Sequence, residues 1–446
     1  MGNPEMNIGA RVRRSRRQGG ALPGLGAVVT LCATMIFAPD GQAFTIKDAM
    51  GLAINEHPGA KAARLEAKAA ELEVGAARSG YFPTVSLDGS VRREKTHRPT
   101  FKRTLTANEY SLTVTQPIFD GMRTPARVSA AEADAEAENF TAQSKLNDVA
   151  LDAADAYLSV LQARQRLALL KDHEKRAQNI ANRIERRAKA DPGLRSLTVV
   201  GSSQTEEARY LVMNAERELV LAETRYRELI GVDPDDLELP GEPAGLMGLT
   251  LEQAVAGAEQ NHPALAAARF RAEAADGAHD AAKASFFPRL DAEARARNGQ
   301  NIDGISGPDD EYYVGLRLTY SFATGGGAFY DASAASYRER AASIRIHDVA
   351  REVRLGVLKA LENYRSARDT HQVLLRRKAA ASELVRVYDA QFIGGQRDLL
   401  DLFFVLNEER AASRAELDAR FDKLRSAYGV IAAMGELAPA VVSGDN

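Results

Sequence analysis

Residues 55–58 read Asn-Glu-His-Pro and residues 81–87 read Tyr-Phe-Pro-Thr-Val-Ser-Leu, and this pair of signatures occurs twice in the chain. The second copy reads Gln-Asn-His-Pro at 260–263 and Phe-Phe-Pro-Arg-Leu-Asp-Ala at 286–292. Both prolines of the first copy recur at the same offset of 205 residues. Internal repetition on this scale indicates one structural unit used twice. We therefore expect each half of the chain, 44–236 and 237–446, to fold as a helix–strand–strand–helix unit.

Alternating apolar and polar residues follow each Phe-Pro pair and predict strands. In the first copy Val85 and Leu87 alternate with polar neighbours, the period of two that gives a sheet two different faces. Similar runs predict four strands, at about 84–94, 110–119, 289–297 and 311–323. The polar segments 93–107 and 298–310, which separate the paired strands, are expected to be surface loops.

The alternation fits two kinds of sheet. A half-buried soluble sheet shows it, and so does a membrane barrel with apolar residues toward lipid and polar residues toward a wet lumen. Each run approaches the roughly 9–11 residues that a tilted strand needs to cross a bilayer, and a predicted export signal favours the barrel. Since four strands cannot enclose a wet lumen, the barrel predicts an oligomer.

Two helices of unusual length follow the strand pairs. They are predicted at about 124–190 and 329–392, with return helices at about 197–230 and 398–434. Roughly 68 residues at a rise of about 1.5 Å give about 100 Å of helix. Heptad spacing is visible at Leu146, Ala153, Val160 and Leu167, and again at Val149, Ala156, Ala163 and Leu170. Apolar residues at this spacing indicate coiled-coil packing.

The first 43 residues have the pattern of a secretion signal. Five arginines between Arg11 and Arg17 precede the apolar run 22–38, and small residues lie before Phe44. The apolar run is short and broken by a Pro-Gly pair, which favours cleavage over a transmembrane anchor. Cys32, the one cysteine, lies within this segment, after a leucine that does not suit lipid acylation. A cysteine-free mature chain would exclude disulfides, zinc–thiolate sites and thiol catalysis.

The rest of the composition excludes several functions. A net charge of -3 gives no reason to expect nucleic acid. The seven histidines have no metal-ligand spacing, and His57 and His262, each before a proline, suit helix boundaries. The glycines at 325–327 lack the Lys-Ser/Thr of a phosphate-binding loop. We therefore expect no enzyme activity, no cofactor and no metal.

Several segments in order carry a family resemblance that spans about residues 44–436. They are the two His-Pro helix starts, the two Phe-Pro strand entries, Gln116-Pro117-Ile118-Phe119-Asp120-Gly121, Tyr320-Ser321-Phe322-Ala323-Thr324-Gly325-Gly326 and Gly395-Gln396-Arg397-Asp398-Leu399-Leu400-Asp401-Leu402. Together they resemble the TolC-type outer-membrane channels. The resemblance implies a mostly α fold with membrane β: a homotrimeric 12-stranded β-barrel, four strands per protomer, continued by a long α-helical coiled-coil tunnel in the periplasm.

The resemblance also implies partners and a place in the cell. Such channels lie in the outer membrane of Gram-negative bacteria, contact its lipid, and dock onto a periplasmic adaptor (membrane fusion) protein and an inner-membrane ABC or other pump. They conduct substrate passively.

In that family an arginine at the tunnel tip ties neighbouring helices and an aspartate lines the closed entrance, and Arg397 and Asp401 match these two. Phe404 stands where a second acidic ring often lies. Val199 follows Thr198 at a position where some members have an aspartate that latches the tip. The resemblance thus implies a gate that is more apolar and less strongly latched. From spacing alone, Arg397 and Asp401 equally fit a surface ion pair on one helix face.

The two tip turns resemble the sites where adaptor hairpins bind in this family. Their residues are Gly193, Leu194, Arg195, Ser196, Gly395 and Gln396. The form of the second turn resembles the type I protein-secretion branch, which we take as the preferred function. Multidrug or small-molecule efflux is the alternative, and a soluble coiled-coil scaffold is a third hypothesis.

Overall fold

The computed structural model describes residues 44–191, 193, 195–321, 325–393 and 396–442, so the predicted signal segment 1–43 lies outside it. The chain runs twice through two short helices, two strands, a long helix and a return helix. The first unit has α1 (Ile46–Glu56), α2 (Pro58–Arg78), β1 (Thr84–Arg98), β2 (Phe101–Phe119), α3 (Arg123–Ala190) and α4 (Arg195–Ile230). The second has α5 (Leu251–Asn261), α6 (Pro263–Lys283), β3 (Arg289–Gln300), β4 (Pro308–Thr319), α7 (Gly327–Ile393) and α8 (Leu399–Ala433), before a short α9 (Leu437–Val442).

The repeated His-Pro signature starts a helix in both units. The Nδ1 atom of His57 accepts a hydrogen bond from the backbone N–H of Gly59 at 3.1 Å, and Nδ1 of His262 accepts from Ala264 at 3.2 Å. The following proline occupies the first turn, where its missing N–H costs nothing. The expected boundary role of these two histidines is confirmed.

The long helices form the frame of the molecule. Helix α3 has 68 residues and α7 has 67. The predicted seam of α3 is buried at Val149, Ala153, Ala156 and Val160. Of these, Val149, Ala153 and Val160 pack with residues of α1, α4 and α8 in the largest apolar core. Small residues at many seam positions let the neighbouring helices approach closely.

The short and return helices lie along the long ones. Helices α2 and α4 both pack on α3, and α6 and α8 both pack on α7. The loop 231–250 joins the units partway along this body. There the hydroxyl of Tyr157, a fully buried residue of α3, lies 2.7 Å from the carbonyl oxygen of Phe44 and 2.6 Å from that of Glu238. Tyr157 therefore fixes both ends of the first unit against its long helix.

The four strands form one antiparallel sheet in the order β1-β2-β3-β4. Leu87 faces Leu112, which faces Ala296, which faces Tyr312, so each row of partners crosses the whole sheet. A bulge between Pro117 and Phe119 lies close to the point where β2 leaves the sheet. Gly121 follows with φ of +72°, and a Cβ there would lie 2.7 Å from the carbonyl oxygen of Ala284. Glycine thus permits the tight turn from strand into α3.

The two expected surface loops differ from the prediction. Most of segment 93–107 is paired strand, because β1 continues to Arg98 and β2 begins at Phe101, leaving a turn of only two residues. Segment 298–310 also shortens to a loop at 301–307. Polar residues occupy both faces of these extensions, so the alternation that reveals a half-buried strand is missing there. Strand β4 ends at Thr319, and residues 322 and 323 of the predicted strand lie outside the described part of the chain.

Among the described residues, the helices include none that is both long and apolar enough to span a membrane.

Candidate functional site

Both helix–helix turns lie at one end of the helical body, which we call the tip (residues 177–208 and 388–408). An apolar cluster there unites all four long and return helices. Its buried members are Ala177, Ile180, Ile184, Ala208, Phe392, Leu402, Phe403 and Leu406. Because this cluster joins α3 and α4 to α7 and α8, the two turns are held side by side. The sequence-predicted gate and adaptor residues are thereby brought to one end.

Arg397 contacts three side chains of its own protomer. Its Nε donates to Oε1 of Gln391 at 3.2 Å, and its guanidinium carbon lies 4.4 Å from the centre of the Tyr388 ring. Its Nη1 lies 3.6 Å from Oδ2 of Asp401. Since both charged groups are about two-fifths exposed, this ion pair contributes only about 0.3–0.5 kcal/mol. The Asp401 side chain is thus partly open to solvent in the protomer.

The other predicted gate residues differ in their surroundings. Phe404 is 69% exposed and Val199 is 71% exposed, so neither belongs to the tip cluster. The hydroxyl of Thr198 donates to the carbonyl oxygen of Arg195 at 2.7 Å, which stabilises the first turn of α4. Thr198 therefore contacts its own helix, whereas the apolar ring of Phe404 lies on the surface of the protomer.

The predicted adaptor-contact residues are exposed where the structure describes them. These are Gly193, Arg195, Ser196 and Gln396, while Leu194 and Gly395 lie outside the described residues. Oδ1 of Asp191 accepts from the N–H of Gly193 at 2.9 Å, and the N–H of Gln396 donates to the carbonyl oxygen of Gln391 at 2.9 Å. Each turn is thus tied back to the helix it follows.

Sequence reasoning missed a cationic clamp at the tip. The guanidinium carbons of Arg183 and Arg187 lie 4.3 and 4.6 Å from the centre of the Phe392 ring. Arg183 also forms an ion pair of 3.0 Å with Asp389. The sequence shows two arginines four residues apart, which lie on one face of a helix, but their aromatic partner lies on a helix some two hundred residues later. Cation–π contacts at partly exposed sites contribute about 0.5–1 kcal/mol each, so this clamp fastens α3 to α7.

Two buried titratable groups lie within the helical body. Burial lowers the pKa of His173 to about 4, with Arg410 and Arg176 adding repulsion. Burial opposes ionisation of Glu416, but hydrogen bonds from Lys378 at 2.7 Å and from His371 outweigh it and lower the pKa of that carboxyl. The body thus encloses a neutral imidazole and a charged carboxylate. The described residues contain no group of three or more His, Cys, Asp or Glu that is arranged to hold a metal ion.

One face of the sheet is apolar and uncovered. Along its central rows it presents Val85 and Leu87 of β1, Leu112 and Val114 of β2, Ala294 and Ala296 of β3, and Tyr312, Val314, Leu316 and Leu318 of β4. The large side chains among these are mostly exposed; Val314 is 85% exposed. A contiguous uncovered apolar face of this size marks a surface that meets lipid or another protein.

The opposite face is polar and held by ion pairs. Glu109 of β2 lies 3.0 Å from Arg92 and 3.8 Å from both Arg295 and Arg297. On β3, Glu293 pairs with Arg317 at 2.7 Å. The loop 301–307 folds over this face, where Nδ2 of its Asn301 donates to the carbonyl oxygen of Thr106 at 3.0 Å. Charges on one face and apolar residues on the other match a strand set with water on one side and lipid on the other.

A strand set of this kind, carried on a body of helices more than sixty residues long, defines the subunit of an outer-membrane channel. The chain belongs to the outer membrane efflux protein family, whose model matches residues 49–231 and again residues 255–436. The two matched ranges are the two repeats. Members of this family are channels and not enzymes.

Similar proteins have the same fold over most of their length. The chain is 24% identical over 416 residues to "Outer membrane efflux protein BepC" of Brucella suis, covering 93% of this chain and 90% of the relative. It is 25% identical over 411 residues to "Protein CyaE" of Bordetella pertussis, covering 89% and 85%. The crystal structure of the Campylobacter jejuni CmeC outer membrane channel superposes with a TM-score of 0.76 at 14% identity, covering 87% and 85%.

The expected fold class and location are thereby confirmed. The chain is mostly helical with a four-stranded antiparallel sheet, as in the solved outer-membrane channels. It is a Gram-negative outer-membrane protein with its helical body in the periplasm. This location removes the soluble scaffold from the hypotheses.

Proposed function

We propose that three copies of this chain form one channel with a twelve-stranded barrel. The open edges of the sheet support this assembly. Strands β1 and β4 are the outer strands, and each has a partner on one side only. An unpaired edge inside a bilayer leaves backbone groups without hydrogen bonds, which costs several kcal/mol per group, about 2–7 in apolar surroundings. Pairing β4 of one protomer with β1 of the next removes every edge and encloses the polar face.

The uncovered helix surfaces support the same trimer. Helix α4 exposes Tyr210, Met213, Val220 and Leu221 along its length, although it lies in the periplasm rather than in lipid. Helix α7 likewise exposes Leu355 and Leu358. In the trimer these apolar residues lie between neighbouring protomers, where coiled-coil contacts bury them.

We infer that the trimer is the passive exit duct of an export machine and that its tip docks onto a periplasmic adaptor coupled to an inner-membrane ABC or other pump. The observation that carries this function is the pairing, on one helical body, of an open, polar-faced sheet at one end of α3 and α7 with two exposed turns that lie together at the other end. Gly193, Arg195, Ser196 and Gln396 are the described residues on which an adaptor would sit. A conduit needs a wet lumen and a docking end, and the polar face of the sheet and the exposed turns of the tip support these two roles.

Within this role, Asp401 and Arg397 are proposed to set the gate. Three Asp401 carboxylates around a closed tip form a ring of like charge, which attracts cations and repels anions. Phe404 adds an apolar surface beside that ring. The Arg397 contacts with Tyr388 and Gln391 hold the turn in place on its own protomer.

We propose type I protein secretion as the exported class. The support is the second tip sequence, Gly395-Gln396-Arg397-Asp398-Leu399-Leu400-Asp401-Leu402, together with a sole cysteine that does not suit acylation. Small-molecule efflux is the second candidate, and it is favoured by the family, the outer membrane efflux proteins, and by the name of the relative, outer membrane efflux protein BepC.

The culture-supernatant proteome of a deletion strain, compared with its parent and a complemented strain, tests this choice. Drug susceptibility is measured on the same three strains. Loss of one or a few secreted proteins with unchanged susceptibility is the expected result. An unchanged supernatant with raised susceptibility would assign the duct to efflux, and no change in either would remove the export function.

A further inference from the structure

The β1–β2 hairpin continues beyond the apolar face and becomes basic. The last apolar residue that β1 presents on that face is Val91, which is 69% exposed. The next residues on the same face are Arg93, Lys95 and His97, and Lys102 of β2 lies directly opposite His97. Each step to the next residue on one face of a strand adds about 7 Å. The cations therefore begin about 7 Å past the apolar surface and continue in line with it.

Among the residues that the structure describes, these outward cations have no partner. Arg93, Lys95 and Lys102 are exposed, and none forms an ion pair or a side-chain hydrogen bond with another described residue. Beyond Val91 the outward face of the hairpin has no carboxylate; its remaining residues are Thr104, Thr106 and Asn108. On the neighbouring strands, the first outward carboxylate is that of Asp310, which accepts a hydrogen bond from Asn298 at 2.6 Å.

The inward face of the same hairpin is different. Arg92 pairs with both Glu94 and Glu109. Arg98 and Arg103 lie over the ring of Phe101, at 5.8 and 5.7 Å from its centre. Each of these inward arginines thus has a partner in the protomer, a carboxylate or an aromatic ring, whereas Arg93, Lys95 and Lys102 have neither among the described residues. A requirement for solubility alone would not separate the two faces in this way.

We propose that Arg93, Lys95 and Lys102 bind the phosphorylated headgroups of lipid in the outer leaflet of the outer membrane. The inference rests on the proposed barrel, since that assembly turns the apolar face toward lipid. The hairpin lies at the end of the sheet away from the helical body, so it reaches the outer surface of the membrane. Acyl chains meet the apolar rows, and the phosphates of the same lipid then lie level with the cations.

Two observations favour a lipid over a soluble anion. The cations continue the lipid-facing rows without a break, so a ligand that touches both must have an apolar part. They also form an open ladder rather than an enclosed pocket, which suits headgroups packed side by side. Basic residues next to a membrane attract anionic headgroups, each contributing roughly a fivefold gain in affinity.

The test uses the full-length trimer in detergent micelles and titrates it with lipid A that carries phosphates on both sugars. The variant is Arg93→Gln with Lys95→Gln. The matched control is Arg98→Gln with Arg103→Gln, which removes the same charge from the inward face of the same hairpin. At about 150 mM salt the outward pair is expected to weaken lipid A binding about 30-fold, the product of roughly fivefold for each cation. The inward pair is expected to change it less than about threefold.

Dephosphorylated lipid A and inorganic phosphate separate the possible ligands. The wild-type trimer should bind dephosphorylated lipid A about as weakly as the outward variant binds the phosphorylated form, and millimolar inorganic phosphate should not compete. Competition by phosphate would make the site a soluble-anion site and overturn the proposal. If both double variants lost lipid A binding equally, the binding would be general charge attraction and not a site on the outward face.

Trimer stability and single-channel conductance complete the experiment. If the outward variant dissociates into monomers while lipid binding per chain stays unchanged, the cations pair with a neighbour's Asp310 instead of lipid, and the proposal fails. The outward variant should conduct as the wild type does. A wild-type protein that gives no conductance at all would contradict the channel itself, a result distinct from failure of the lipid site.

Discussion

Replacing Gly277 with alanine should loosen the contact between α6 and α3, just below the sheet. Gly277 lies in the interior of α6, where glycine costs about 1 kcal/mol relative to alanine. A Cβ built at this position would lie 2.9 Å from the backbone nitrogen of Ala130 and 3.0 Å from its Cα and Cβ. Backbone atoms of a packed 68-residue helix cannot rotate away as a side chain would. The two helices must therefore separate by several tenths of an ångström.

The size of the effect follows from two opposing contributions. Helix propensity favours alanine by about 1 kcal/mol, and forcing an extra methyl into a packed contact costs about 1–3 kcal/mol. Gly277→Ala should therefore be destabilising by about 1 kcal/mol. Gly75 is the matched control, because it lies in α2, the equivalent 21-residue helix, and a Cβ there meets no atom within 4 Å. Gly75→Ala therefore has the gain in helix propensity without a packing cost and should stabilise the protein.

Thermal unfolding of the purified trimer, followed by helical circular dichroism, measures both changes, since the chain has no tryptophan to report by fluorescence. The difference between the two variants cancels helix propensity and isolates the packing cost, which should be about 1–3 kcal/mol. If Gly277→Ala raises the midpoint as much as Gly75→Ala does, α6 and α3 are not in close contact and the reasoning is refuted.

Three further predictions concern the tip and the body. Asp401→Asn should weaken the block of single-channel current by multivalent cations about tenfold, because three carboxylates contribute about 0.5 kcal/mol each. The control variant Asp398→Asn should leave the block unchanged. An unchanged block in Asp401→Asn would remove Asp401 from the gate. The pKa of His173 is near 6.5 in the unfolded chain but about 4 in the folded protein. As the pH is lowered from 6.5 to 4, the free energy of unfolding should therefore fall by about 1.4 kcal/mol per pH unit, and it should stay constant above pH 6.5. His173→Leu should flatten that slope in thermal melts from pH 7 to pH 4.5. Tyr157→Phe removes the hydroxyl that lies within hydrogen-bond distance of the carbonyl oxygens of Phe44 and Glu238. It should cost about 1 kcal/mol, visible as faster amide exchange at residues 236–240 and not at the tip.

The sequence predicts best the elements whose characteristic residues lie close together in the chain. The His-Pro helix starts, the Phe-Pro strand entries and the heptads of α3 each depend on neighbouring residues, and the structure has them at the expected places. The basic extension of the β1–β2 hairpin has no such signal. Glu94 faces Leu105 and Lys95 faces Thr104, so polar residues occupy both faces and only the partner strand reveals the pairing.

The candidate site shows the same division. The spacing of four residues between Arg397 and Asp401 predicts their contact, although Arg397 lies in the turn before Asp398, the N-cap of α8, and only Asp401 is in the helix. The ring of Phe392 beneath Arg183 and Arg187 was not predictable, because the partners belong to different repeats. Nothing local in the sequence specifies which turn of α7 lies against which turn of α3. Only the packing of the tip cluster sets that register.

The repeat itself indicates where function lies. Both units must satisfy the same packing, so equivalent positions that differ between them are not dictated by the fold. Aligned on the Gly-x-Arg of the two turns, 193–195 and 395–397, Val199 corresponds to Asp401. In the proposed trimer, six turns at the entrance would then alternate three carboxylates with three exposed valines. Such a ring has half the charge of one with an aspartate in every turn, and replacing Val199 with Asp should therefore strengthen cation block, just as Asp401→Asn weakens it.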